Sequence, residues 1–175
     1  RVSVNLSTRD LLDLELPDKL AALLEHHGAQ AAGFCLEITE SAIMDDPQRA
    51  ENTLNRLSQS GFKLSIDDFG TGYSSLAYLK RLPVNELKID KSFVMAMERD
   101  PDDAKIVRST IDLAHNLGLS VVAEGVENAA IAQALQALHC DEAQGYHYAR
   151  PMPAAEFTAW ARQRQEQAAT TASCL

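Results

Sequence analysis

Cysteine is scarce in this sequence. Cys35, Cys140 and Cys174 form no C-x-x-C pair and leave one over, so neither a disulfide framework nor a zinc ribbon is expected. A reducing cytoplasm fits that usage. Long hydrophobic runs are missing too: no apolar stretch approaches the roughly 20 residues that span a bilayer. The first residues do not read as a signal peptide, and a soluble segment without a membrane span is expected. Positive charge is in deficit, with 16 Lys and Arg against 25 Asp and Glu and a formal net charge of −9. Like charge repels nucleic-acid backbones, which excludes general affinity for DNA or RNA duplexes. An acidic protein can still hold a phosphate through metal ions. Histidine is no candidate for that task, because none of the five histidines has a plausible ligand spacing.

What the chain does have is 175 residues at 46% apolar composition, enough for one globular unit with a sizeable core. Residues 1–160 read as that domain. Residues 161–175, rich in Gln, Ala and Thr without a clear apolar stripe, read as a frayed helix end or disordered tail. The first residue is Arg1 rather than Met and leads directly into the alternating run Val2–Leu6, so the chain is expected to begin inside a domain.

Short apolar or alternating stretches at Val2–Leu6, Phe34–Ile38, Lys63–Ile66, Glu86–Ile89, Ser120–Ala123 and around Ala143–Tyr146 predict strands. Helical spacing lies between them: Leu20, Leu23 and Leu24 make one stripe, Leu54 and Leu57 a second, and Ile106, Ile111, Leu113, Ala114 and Leu117 a third. Asp46-Pro47 resembles an N-cap followed by proline at the first helical position, while Gly61 and Gly118 follow helices. Strand then helix, six times over, means parallel strands with right-handed crossovers. A doubly wound open sheet accepts six strands; a closed (β/α)8 barrel needs two more units than this chain contains.

Strand alternation separates the two. Val2, Val4 and Leu6 share one face and Ser3, Asn5 and Ser7 the other; Leu36 and Ile38 oppose Glu37 and Thr39; Leu64 and Ile66 oppose Ser65 and Asp67; Leu87 and Ile89 oppose Lys88 and Asp90. One face is greasy and the other turns ionisable toward the C-terminal end of each strand. Strands of a doubly wound sheet are apolar on both faces, whereas polar groups converging on a C-terminal rim suit a barrel. The expected fold is therefore α/β, a (β/α)8 TIM-like barrel of which about six strand-helix units are present.

The rim residues in order are Asn5, Glu37 and Glu40, Asp67 and Asp68, Lys88 and Asp90, Glu124 and Glu127, and Gln144. Carboxylates this crowded raise each other's pKa and are unfavourable alone. Oxygen donors without His or Cys select hard divalent cations, magnesium or manganese rather than zinc. The adjacent Asp67-Asp68 pair suggests two ions, an arrangement that holds the attacking and leaving oxygens of a phosphodiester displacement. A turn or cap is the plainer reading of such a pair alone. Lys88, between Leu87 and Ile89, faces an interior where an ammonium needs carboxylates, phosphate or water. Glu124 can bind metal or deprotonate water, and its residue type does not separate the two. The loop Phe69-Gly70-Thr71-Gly72-Tyr73-Ser74-Ser75 is no P-loop, lacking the Gly-Lys-Ser/Thr ending; its glycines suit closure over substrate, and Ser74 is a candidate N-cap.

Val4-Asn5-Leu6-Ser7, Leu36-Glu37-Ile38-Thr39-Glu40, Asp67 to Ser75, Lys88-Ile89-Asp90, Ala123-Glu124-Gly125-Val126-Glu127 and Gln144-Gly145-Tyr146 resemble, in order and spacing, the signatures of EAL domains, bacterial phosphodiesterases that linearise cyclic di-GMP. The resemblance runs from Arg1 to about Phe157. It implies that Asn5, Glu37 and Asp67 bind a first Mg2+ or Mn2+ and Asp68 a second, with Asp67 shared and Glu127 supporting the metal and its water. It further implies that Lys88 orients water or phosphate, that Glu124 is the general base, and that Gln144 contacts water or substrate. Glu40 would anchor the loop after the aspartate pair, and Thr71, Gly72 and Asp90 would serve the loop and substrate. The implied product is pGpG. A homodimer, upstream sensory or GGDEF domains, and anchoring of a parent protein at the inner membrane through such domains also follow from the likeness. The naming Glu-Ala-Leu motif, which carries a metal ligand on a strand expected before Arg1, is absent, so impaired turnover by this segment alone is expected. Two alternatives remain: a degenerate domain that senses cyclic di-GMP or serves as an interaction module, and an enolase-type barrel.

Overall fold

The computed structural model describes residues 1–71 and 76–172, with side chains described as far as residue 165. In chain order the elements are β1 (Val2–Leu6), α1 (Thr8–Leu11), α2 (Leu16–His27), β2 (Phe34–Thr39), α3 (Glu40–Asp45), α4 (Pro47–Gln59), β3 (Lys63–Phe69), α5 (Leu76–Leu79), β4 (Glu86–Ile89), α6 (Lys91–Ala96), α7 (Pro101–Asn116), β5 (Ser120–Ala123), α8 (Ala129–Ala137), β6 (Glu142–Ala143) and α9 (Ala154–Ala172). Polar caps start several helices. Ser7 and Asp10 form a reciprocal capping box on α1, Asp46 accepts from the Arg49 amide with Pro47 at the first turn of α4, and Asn128 accepts from the Ile131 amide on α8. Each such cap stabilises its helix by about 1 kcal/mol.

All strand pairs are parallel, and the spatial order β1-β2-β3-β4-β5-β6 repeats the sequence order. A doubly wound sheet reverses its order at a switch point. This one winds in a single direction, as a barrel does, and leaves β1 and β6 unpaired with each other among the described residues. It is also strongly curled. In a flat sheet β1 and β6 would lie about 24 Å apart, yet the Arg1 guanidinium reaches Glu86 Oε2 of β4 at 2.5 Å and Glu142 Oε2 of β6 at 3.2 Å.

The outer face behaves as its alternation requires. Leu36, Ile38, Leu64, Ile66, Leu87, Ile89, Val121 and Ala123 are buried in one cluster with Leu54 and Leu57 of α4, Val107, Ile111 and Ala114 of α7, and Ile131 and Leu135 of α8. Full burial of a leucine or isoleucine contributes about 1.5–3 kcal/mol. Two stripe positions are corrected. Leu23 is exposed, because Leu16, Pro17, Leu20 and Leu24 set the packed face of α2; Ile106 is likewise exposed, the inner face of α7 being Val107, Thr110, Ile111 and Ala114.

Two strands differ from expectation. β6 is confined to Glu142–Ala143 rather than centred on Ala143–Tyr146; beyond it, Gln144 leaves the ladder while donating its amide to Ala123 O and accepting from Val126 N. β3 continues past Ile66 to Phe69 through a bulge. Ile66 pairs with Leu87 and Phe69 with Ile89, so Asp67 and Asp68 together oppose the single residue Lys88. The segment from residue 161 belongs to α9, which runs to Ala172. No described helix is long and apolar enough to cross a membrane.

Candidate active site

The bulge answers a geometric problem posed by adjacent aspartates. In a regular strand they would face opposite sides of the sheet; one extra residue re-aims the chain. Asp68 takes the left-handed backbone conformation, φ 54°, which aspartate tolerates better than most residues. Both carboxylates thereby reach one place. Asp67, Asp68 and Glu124 each offer an oxygen within 4.8 Å of the other two. Asn5 stands beside Glu37 in register on the neighbouring β1 and β2.

Lys88 is the hub of this cup. The residue is 3% exposed, and its ammonium lies 2.6 Å from Glu124 Oε1, 2.8 Å from Glu37 Oε2 and 3.1 Å from Asp67 Oδ1. One buried ammonium thus forms ion pairs with three carboxylates. Burial alone would depress the Lys88 pKa, but hydrogen bonds with Glu124 and Glu37 outweigh it and hold the group above its ordinary value. Glu124 shifts upward, driven first by burial, with Asp67 and Glu37 repelling its charge against the pull of Lys88. Asp68 also shifts upward through burial and the charges of Asp67 and Asp90. One cation therefore serves four carboxylates, Glu37, Asp67, Asp68 and Glu124. The surplus of negative charge, all on hard oxygen donors, fits divalent cations of the magnesium or manganese kind.

Gln144 Nε2 donates to Glu124 Oε1 at 2.6 Å and fixes that carboxylate's orientation. Two glycines let these loops meet. A side chain at Gly125 would collide with Lys91, and one at Gly145 would run into the Val126 backbone at 2.2 Å. Other rim residues lie apart from the cup. Asp90 belongs to no strand; it caps α6, accepting from the Ser92 amide and hydroxyl, and its charge still reaches Asp68. Glu127 is exposed on the loop after β5 and is not among the three clustered carboxylates; it lines the neighbouring cleft instead. Glu40 opens α3, with both carboxylate oxygens buried and without a hydrogen-bond partner among the described residues. Its neighbours are Ile43, Met44, Ile66, Phe69 and Tyr78. Thr71 donates its hydroxyl to Asp68 O at 2.8 Å and so braces the bulge. Gly72 and Ser74 lie outside the described residues.

From Glu124 and Gln144 a cleft of about 880 Å3 extends past Lys91, Tyr146 and Arg150 to Phe157 and Trp160 of α9. The strand pattern did not reveal its far wall. Tyr146 was visible only as part of a motif, and the fold alone carries Arg150 and Trp160 to the same place. A further unforeseen contact is that of Arg1 with Glu86 and Glu142 at the opposite, N-terminal end of the sheet.

A family model described as the EAL domain matches residues 1–151. The bifunctional diguanylate cyclase/cyclic di-GMP phosphodiesterase MucR of Pseudomonas aeruginosa is 44% identical over 90% of this chain and 23% of its own length. The cyclic di-GMP phosphodiesterase NbdA of the same organism is 44% identical over 89% of this chain and 20% of its own. Among solved structures, the PaMucR phosphodiesterase in complex with c-di-GMP superposes with a TM-score of 0.85 at 44% identity, covering 89% of this chain and 63% of that one. The chain thus spans about a fifth to a quarter of the length of these curated relatives.

Proposed function

Because the chain belongs to the EAL domain family, we propose that the domain hydrolyses cyclic di-GMP to linear pGpG with two Mg2+ or Mn2+ ions, turnover by this segment alone being impaired. The observation that carries this reading is the triangle of Asp67, Asp68 and Glu124 oxygens beside a lysine already bonded to Glu37, Asp67 and Glu124. Asn5, Glu37 and Asp67 would hold one ion, Asp67 and Asp68 the other, with Glu127 supporting the water around them. When bound, the ions supply charge neutralisation at the phosphodiester and its attacking and leaving oxygens.

The protein's own groups do the rest. Glu124 accepts a proton from the attacking water, a role suited to a carboxylate whose affinity for protons is raised. Gln144 aims Glu124 through its 2.6 Å hydrogen bond. Lys88 keeps Glu37, Asp67 and Glu124 in one geometry and offers positive charge to water or phosphate. The water oxygen bonds to phosphorus as the bond to the ribose 3′ oxygen breaks, and the departing oxygen takes a proton from solvent, leaving a 5′-phosphate and a 3′-hydroxyl. Glu40 and Thr71, with Gly72, would secure the loop after the aspartate pair, and Asp90 the start of α6. Upstream sensory or GGDEF domains and a second copy of the domain are the expected partners of the longer protein.

The test is incubation of the chain, alone and joined to strands carrying the Glu-Ala-Leu motif, with cyclic di-GMP and Mg2+ or Mn2+, with chromatographic identification of the product, beside the Glu124→Gln variant of each. Formation of pGpG by the joined, unsubstituted form and not by its variant supports the reading. Tight nucleotide binding without product from either form would replace it with a sensor.

A further inference from the structure

Lys88 is committed to three carboxylates, so the cations that face the rest of a bound substrate must come from elsewhere. Lys91 and Arg150 are the basic residues lining the adjoining cleft. In a chain of net charge −9 neither makes an ion pair with a carboxylate among the described residues; what singles out Arg150 is its aromatic support. Its guanidinium carbon lies 4.6 Å from the centre of the Tyr146 ring, an aromatic support that restrains the flat cation while its N–H fork has no hydrogen-bond partner among the described residues.

The surroundings indicate what that fork meets. Met95, Pro151, Met152, Phe157 and Trp160 make this end of the cleft predominantly apolar, a poor environment for a phosphate but a good one for the face of a base. A purine enters such a slot edge-on to the arginine. Guanine presents two acceptors there, O6 and N7, in the spacing of a guanidinium fork; adenine presents a donor in place of O6. Resting on the cyclic di-GMP reading above, we propose that Arg150, held by Tyr146, is the residue that selects guanine over adenine in the substrate.

The experiment measures equilibrium binding of cyclic di-GMP and cyclic di-AMP to the full chain in Mg2+, on the hydrolysis-blocked Glu124→Gln background, with Arg150→Ala, Arg150→Lys and Tyr146→Ala added singly. Both arginine substitutions should weaken cyclic di-GMP binding about 10- to 100-fold, the range for loss of one bidentate base contact, and leave cyclic di-AMP unchanged. The preference between the nucleotides then collapses even with the charge retained in lysine. Tyr146→Ala should move the ratio the same way to a smaller extent. Equal weakening of both nucleotides, or an unchanged ratio in Arg150→Lys, would overturn the proposal while leaving the phosphodiesterase reading intact. If the Glu124→Gln chain binds neither nucleotide, that reading fails and this one with it.

Discussion

The two ends of the curled sheet solve the same problem with opposite outcomes. At the N-terminal end Arg1 spans the interior between Glu86, 2% exposed, and Glu142. At the C-terminal end Lys88 spans it between Glu37, Asp67 and Glu124, with Asp68 alongside. One cation to two carboxylates, one of them in solvent, is close to balance and ties β1 to β4 and β6. One cation to four is far from balance. A buried charge that only served stability would be matched; the unmatched surplus marks the end built to receive further cations.

The largest effect expected from breaking this asymmetry is on turnover. Glu124→Gln should lower kcat by at least about 10²- to 10⁴-fold, the range for a lost general base, with nucleotide affinity held within a few fold in the same titrations. Next comes Lys88→Met. Removing one partner of a buried ion cluster costs about 3–5 kcal/mol, read from urea denaturation, and Mg2+ should restore part of the loss because it neutralises the carboxylates left behind. Arg1→Ala should cost less, about 1–3 kcal/mol for stranding the buried Glu86 carboxylate, with no rescue by Mg2+. Rescue of both variants, or of neither, would erase the distinction between the two ends. The smallest effect is on pH dependence. Asp68 and Glu124 have raised pKa values, so without metal their contribution to stability is present below the ordinary carboxylate range and lost as pH rises through their raised values. Melting temperature of the metal-free chain should therefore fall across that window, and saturating Mn2+ should flatten or reverse the slope.

Most of the upper end was legible in the sequence because its residues sit at strand ends with a period of two. Glu37, Lys88 and Glu124 could be placed inward from their neighbours alone, and Leu36, Ile38, Leu87 and Ile89 outward. The bulge was not legible: counting by twos sends Asp68 to the wrong face, and only the pairing of Ile66 and Phe69 with Leu87 and Ile89 shows the extra residue. Asp90 was assigned inward by the same counting, whereas the chain had already turned into α6. Leu23 and Ile106 illustrate the width of a helical stripe, whose edges remain in water. The lower tie escaped because Arg1 and Glu86 stand 85 positions apart, and nothing local in either segment announces the other. The Tyr146–Arg150 stack is local, but its meaning depends on α9 forming the far wall.

If the acidic cup is a two-cation site, Mn2+ uptake in the presence of cyclic di-GMP shows it most directly, measured on the Glu124→Gln chain alone and with Asp68→Asn or Asp67→Asn added. Two ions are expected in the first case, one with Asp68→Asn, whose backbone conformation asparagine can keep, and fewer than two, bound more weakly, with Asp67→Asn. Uptake that is absent, or unaltered by either aspartate substitution, would contradict the account.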